Sequence, residues 1–387
     1  MLKKLFLILI GLIGFTTMSW AVNWYTNTAN QTNVWLYRQK ITVNHANASG
    51  ESTDFPMLVK ITGAANPLFG KAQATGNDIL FTRADGSTKI THEVEYYNSS
   101  TATLCAWVRM PNVSSTVDVV AYMYYGSSNA AAQGNANGTW DPNFIMVHHL
   151  AETSGHHLDE TVNANNSTSE SLTAQGTQVG TIDGADTFNG TSNYVLTTTT
   201  NAAIAAGSIC VLADEIANHG ATASYMLSAN VGGSANRLYL FDKNGTLEAA
   251  FSANNNIGVG FTIPATTWHY YALTWSGANY IVYVDGVSKI TGSSALTAFP
   301  TSFCIGALLP GTAQWFNGLI DEIRASKVQR SASWLLTEWK NMSSPATFIT
   351  LAAEEKRPSA FMTNAVPAPP DQRRRQYVKR FGENAYD

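Results

Sequence analysis

The 387-residue chain is 13% charged and 45% hydrophobic, with a formal net charge of −4. So small a net charge over such a length gives no global field to attract nucleic acid, and the polar surface must come from Asn, Ser, Thr and Gly. The length exceeds the roughly 100–200 residues of an ordinary domain, which sets two domains as the expectation.

Residues 1–21 read as a secretory signal peptide: Lys3 and Lys4, an apolar run from Leu5 to Phe15, then Ser19-Trp20-Ala21 with small residues at peptidase spacing. The run is shorter than the ~20 residues a membrane span needs, which favours cleavage over the alternative of an uncleaved anchor. No cysteine follows it to carry a lipid, and no later segment is apolar enough to span. The expected location is secreted, periplasmic or cell surface, with no membrane span after signal cleavage.

The chain then reads as nearly all β. Runs rich in Val, Ile, Tyr, Phe, Trp and Thr recur between Gly, Asn, Asp and Ser, and helical periodicity is almost absent. Asp85-Gly86, Asn244-Gly245 and Ser276-Gly277 tolerate positive φ and predict antiparallel hairpins. In VVAYMYYGSS, Tyr122 and Tyr124 alternate with Met123 and Tyr125, so both faces of that strand look covered. The same holds where Tyr280, Val282 and Val284 alternate with Ile281, Tyr283 and Asp285, which predicts strands inside a sandwich. Cys105, Cys210 and Cys304 sit in apolar runs as buried small side chains, with a Cys210–Cys304 bridge as the alternative. One helix is predicted late, in SASWLLTEWKNM (331–342), with Ser331 as its cap and Trp334, Leu335, Trp339 and Met342 at helical spacing. Beyond it lies a Pro-rich tail, 353–387, with a basic block from Arg373 to Arg380. Its composition fits a solvated segment, or one that docks an envelope or assembly partner.

Two resemblances follow from ordered landmarks. WLYRQKITV (35–43), DILFTRADGSTKITHEVEYY (78–97), LCAWVRMP (104–111), VVAYMYYGSSNA (119–130) and GTWDPNFIMVHHL (138–150) resemble a bacterial and archaeal domain of unknown function that usually precedes lectin-like modules. HHLAETSG with LDETVNANN (148–166), GADTFNGTSNYV (184–195), WHYYALTWSGANYIVYVDGV (268–287) and FNGLIDEIRASKVQRSASWLLTEWKN (316–341) resemble a concanavalin A-like lectin/glucanase jelly roll of the laminin-G-like kind. The resemblance implies an all-β protein of two antiparallel β-sandwich domains, 22–146 and a jelly roll at 147–352. Such a jelly roll presents a concave face or edge loops to glycans or proteins, and the fold alone does not choose among those uses.

HHLAETSGHHLDE (148–160) concentrates four histidines, yet the pairs are adjacent, and adjacent side chains of a strand point to opposite faces. Zinc is therefore disfavoured; one histidine of each pair is expected to pack and the other to meet solvent. Calcium, which prefers oxygen ligands, is the metal the resemblance implies, with Asp159 and Asp321 as its candidate ligands; the competing role is turn capping by Asp159 and structural bonding by Asp321. Hydrolysis of glycosides needs two convergent carboxylates. Glu93 and Glu95 share a strand face, but lie in the first domain, while Asp214-Glu215 and Asp321-Glu322 are adjacent and are expected to point apart. The chain is thus read as no enzyme but an exported binder of glycan or cell-surface ligand, with Trp315, Asn317, Tyr239 and Trp275 as candidate contacts. A structural or assembly component of a cell surface, filament or virion is the rival, and a glycoside hydrolase the third reading.

Overall fold

The computed structural model describes residues 34–199, 205–216, 222–231 and 234–357. The expected signal peptide, and the tail from residue 358 with its basic block, lie outside the described residues. Among the described residues no helix is long and apolar enough to cross a membrane.

The hairpins form where the turn residues place them: Asn244 and Gly245 both take positive φ, 59° and 72°, and join Arg237–Lys243 to Thr246–Ser252. Among the described residues four antiparallel sheets result. The outer sheet of the first sandwich contains Tyr37–Val43, Val119–Tyr125, Leu80–Arg83 and Lys89–Ile90, and its second sheet contains Ser52–Thr62, Thr103–Val113 and His92–Asn98. The jelly roll stacks an eight-stranded sheet, centred on Ala206–Glu215 and Asn317–Ser326, against a seven-stranded one.

The second sheet of the first sandwich is buried on both faces, because its outward side meets the outward side of the eight-stranded sheet. One apolar cluster runs from Ile41 and Phe81 through Trp107 and Cys105 to Cys210, Leu212, Tyr270 and Tyr283, while Ile209, Val211, Tyr271 and Leu273 face the jelly roll's own core. The alternation at 280–285 is explained by this: Tyr280, Val282 and Val284 point into the jelly roll, and Ile281 and Tyr283 into the seam. The three cysteines are free and buried.

The predicted helix forms at Ala332–Ser343, with the Ser331 hydroxyl accepting from the Trp334 amide at 3.1 Å. It covers the edge of the seam-facing sheet. Asn341 caps that edge as a strand would, accepting from the Leu58 amide (2.7 Å) and donating to its carbonyl (3.0 Å), which pairs both backbone groups of Leu58. Gly286, at φ 74°, lets the helix approach, since a Cβ there would lie 2.2 Å from Leu336 Cα.

The expected boundaries are corrected at both ends of the jelly roll. Phe144–His148 pairs with Asn317–Ser326, so a boundary at 147 cuts a jelly-roll strand. After the helix the chain returns to the first sandwich, where Ile349–Leu351 and Glu355–Lys356 pair with Tyr37–Val43. The cause is that Tyr37–Val43 would otherwise expose an open edge. A chain ending at Ser343 should therefore unfold its first sandwich well below one ending at Arg357 in thermal circular dichroism. Equal midpoints would contradict the shared sheet.

Candidate functional site at the seam

A cleft of about 640 Å³ opens where the sandwiches meet, lined among others by Glu93, Glu95, Tyr96, Asn135, His149 and Glu160. Glu93 and Glu95 come from the strand His92–Asn98, and a bulge after Val94 leaves Glu95 out of the ladder. Both carboxylates reach the His149 ring, at 3.3 Å and 3.6 Å. Glu93 faces Nε2 and Glu95 faces Nδ1, and from the jelly roll Glu322 reaches the same Nδ1 at 2.5 Å.

These groups are held by stiff neighbours. Trp107 donates its indole N–H to Glu95 (2.5 Å) and Trp140 donates to Glu93 (2.9 Å), while Trp107 stacks on His149 with rings 5.9 Å apart and 6° from parallel. Arg324 grips Glu322 with two N–H groups (3.0 and 2.9 Å), reaches Glu338 at 2.5 Å, and lies over the Trp107 ring at 4.3 Å. Tyr270 donates to the other oxygen of Glu338 at 2.6 Å.

Burial alone would lower the His149 pKa, but Glu322, Glu95 and Glu93 outweigh it and hold the ring well above its ordinary value as a cation. Burial pushes Glu95 well up, assisted by Asp183. It likewise pushes Glu160 up to about 7, with Glu93 adding to the effect.

Two expectations about the histidine-rich stretch change. His148 and His149 are both buried, since His148 Nε2 lies 2.9 Å from the Asn165 carbonyl within the jelly roll while His149 fills the seam. Only the second pair divides as expected: His156 is exposed against Glu170, and His157 is buried. The pairs do face apart; what differs is that the first domain covers the side that solvent would have met. Asp321 and Glu322 do not point apart either. The ladder skips Asp321 between the pairs Leu212–Glu322 and Ala213–Ile320, and this bulge lets Asp321 accept from Ile182 (2.8 Å) while Glu322 reaches His149.

Asp159 is bound by its own chain, accepting from the amides of Val147, Thr161 and Asn165 and from the Thr161 hydroxyl. That is the turn-capping arrangement. Among the described residues, the set whose ligand atoms lie within 4.8 Å of one another is Glu95, His149 and Glu322, and it contains neither Asp159 nor Asp321.

Trp275 is corrected from ligand contact to core residue: it is wholly buried against Phe251 and Phe299. Tyr239 is also buried, edge-on to Tyr225 at 5.4 Å. Trp315 is half-buried with its indole donating to Gly311 (3.2 Å), and its backbone bridges Tyr225. Asn317 opens its strand opposite Asn189. Sequence reasoning missed His149, Glu160, Glu322 and Tyr96 as site residues; the available signal was the position of His149 where the two matched segments overlap.

Comparison with known proteins agrees with both resemblances. Residues 75–193 match the family model of a domain of unknown function, DUF2341. Residues 189–335 match that of the concanavalin A-like lectin/glucanases superfamily. The chain thus carries the first domain followed by a concanavalin A-like domain. No curated protein matches it. Similar solved structures include a botulinum neurotoxin DC binding domain in complex with SialylT, at 9% identity and a TM-score of 0.41 over 52% of each chain. A Trypanosoma rangeli sialidase is similar at 13% identity and TM-score 0.42, over 56% of this chain and 35% of that one. A Limulus polyphemus SAP-like pentraxin is similar at 16% identity and TM-score 0.31, over 39% and 78%. The chain spans about half the length of the neurotoxin binding domains it matches.

Two measurements probe the site. Arg324→Met leaves Glu322 and Glu338 short of a partner and should cost about 3–5 kcal/mol in urea unfolding; a loss below about 1 kcal/mol would contradict the network.

Beside the cleft, His157 sits between Glu152 (2.7 Å) and Asp186 (2.8 Å), with His148 also nearby. Burial opposes its charge, yet Asp186 and Glu152 hold it up at about 9. Burial would raise Glu152, but His157 brings it down to about 2, whereas burial keeps Asp186 raised and makes it the weaker charge. With a folded pKa above the unfolded 6.5, the His157 contribution is complete below pH 6.5 and lost as pH rises through about 9. The Glu152 contribution is complete above pH 4.5 and lost as pH falls through about 2. At ~1.4 kcal/mol per pKa unit, the pairing contributes on the order of 3 kcal/mol between those limits. The stability gap between the native chain and His157→Gln should accordingly shrink between pH 6.5 and 9, and a constant gap would refute the pairing.

Proposed function

We propose that this protein is an exported, non-catalytic binding protein that takes a carbohydrate or similarly hydroxyl-rich surface ligand into the seam cleft. The observation that carries the reading is the cleft's wall: Tyr96, 37% exposed, presents an aromatic plane next to the Glu93, Glu160 and Asn135 side chains. A sugar ring stacks on such a plane while its hydroxyls donate to carboxylate and amide oxygens. The match to a lectin/glucanase superfamily supports it at the level of fold.

The carboxylates argue for binding over hydrolysis. A glycosidase needs one carboxyl to give a proton and a second free to attack or to activate water. Here Glu93 and Glu95 each spend an oxygen on an indole and face the imidazole, and Glu152 is held by His157 and the Leu158 amide.

A glycan array followed by calorimetry tests this. Tyr96→Ala should weaken the best glycan about tenfold, about 1.4 kcal/mol, with Trp315→Ala nearly unchanged. If Trp315→Ala abolishes binding and Tyr96→Ala does not, the ligand face belongs to the jelly roll alone. Absence of any glycan together with a stable homo-oligomer would favour the assembly reading, and polysaccharide turnover would overturn the non-catalytic one.

A further inference from the structure

We infer that Glu95, His149 and Glu322 form a binding site for one divalent first-row transition-metal ion, of the zinc or manganese type, that clamps the two sandwiches together at the back of the cleft. The inference does not depend on the cleft's taking a glycan.

The three side chains come from three parts of the fold: a strand of the first sandwich, the junction, and the long jelly-roll strand. Each offers a ligand atom within 4.8 Å of the other two. One imidazole with two carboxylates is a donor set that suits such ions, whereas calcium takes oxygen ligands alone.

An independent observation points to a ligand. The Glu95 side chain is only 3% exposed, yet its Oε1 has no hydrogen-bond partner and lies 3.6 Å from His149 Nδ1. Asp183 stands beside it and shares a hydrogen bond with the Glu95 carboxyl, while Asp183 Oδ1 has no partner. The balance of charge agrees, because Glu93, Glu95 and Glu322 all converge on one imidazole, and Arg324 is divided between Glu322 and Glu338. Burying that many carboxylates without compensation is costly, and a divalent ion supplies compensating charge.

The surroundings meet two further needs of such a site. Trp107 fixes the second oxygen of Glu95, and Arg324 the second oxygen of Glu322, which leaves one oxygen of each directed at the imidazole. That is the outer support metal ligands ordinarily have. Glu95 and His149 also line the cleft, so an ion enters from solvent without unfolding the seam. Closing the 2.5 Å contact between His149 and Glu322 over an ion requires only that these side chains part, since ligands about a metal sit roughly 2.0–2.2 Å from it.

The full chain, stripped with EDTA, is titrated with zinc, manganese and calcium in separate calorimetry runs, with bound metal counted by mass spectrometry. The expected result is one zinc or manganese ion per chain and a higher unfolding midpoint. Glu95→Gln keeps the acceptor for Trp107 and should weaken the ion by roughly tenfold or more. His156→Ala removes the exposed histidine and should leave binding unchanged. Circular dichroism establishes that Glu95→Gln is folded, and Glu322→Gln serves in its place if it is not. The inference is overturned if neither zinc nor manganese binds, if calcium alone binds, if both carboxamide variants bind as the native chain does, or if His156→Ala abolishes binding.

Discussion

His149 and Arg324 are two basic side chains buried between facing β-sheets, and the arrangement of the two sandwiches follows from having to keep them paired with acidic ones. A buried charge without a partner costs several kcal/mol, so each is surrounded by carboxylates. Those carboxylates come from both sides: Glu93 and Glu95 from the first sandwich, Glu322 from the jelly roll and Glu338 from the helix. Sliding one sandwich over the other would separate several of these pairs at once. The indoles of Trp107 and Trp140 add apolar area to the same spot and donate to the same carboxylates. The seam is thus specified in a way an apolar contact alone would not achieve.

The same clustering makes the cleft acidic. The basic groups are fewer than the carboxyl groups gathered around them, and Glu93, Glu95 and Glu160 all line the cleft. The groups that lock the domains therefore also shape the surface a ligand would meet. The cleft is lined by residues of both sandwiches.

Much of the fold was legible in the chain. Turn residues with positive φ located the hairpins, the Ser331 cap located the helix, and ordered landmarks located both domains. The site was less legible, for identifiable reasons. Period-two alternation predicts that Asp321 and Glu322 face apart, but a bulge, invisible in one sequence, defeats it. Trp275 and an exposed aromatic look alike in composition; only packing against Phe251 distinguishes them. Glu93 and Glu95 converge on one imidazole with a bulge after Val94 between them, and nothing local says that His149 lies opposite.

The sequence by itself determined what local physics encodes: strand runs, hairpin turns, the helix cap, and the alternation that left both faces of central strands covered. The tertiary structure alone decided what covers them. Return of Ile349–Lys356 to the first sheet, packing of the jelly roll on the first sandwich, and convergence of Glu95, His149 and Glu322 all join residues more than fifty positions apart. Such contacts are chosen by the summed burial of two whole sheets and the need to pair buried charge, quantities that no single stretch of chain contains.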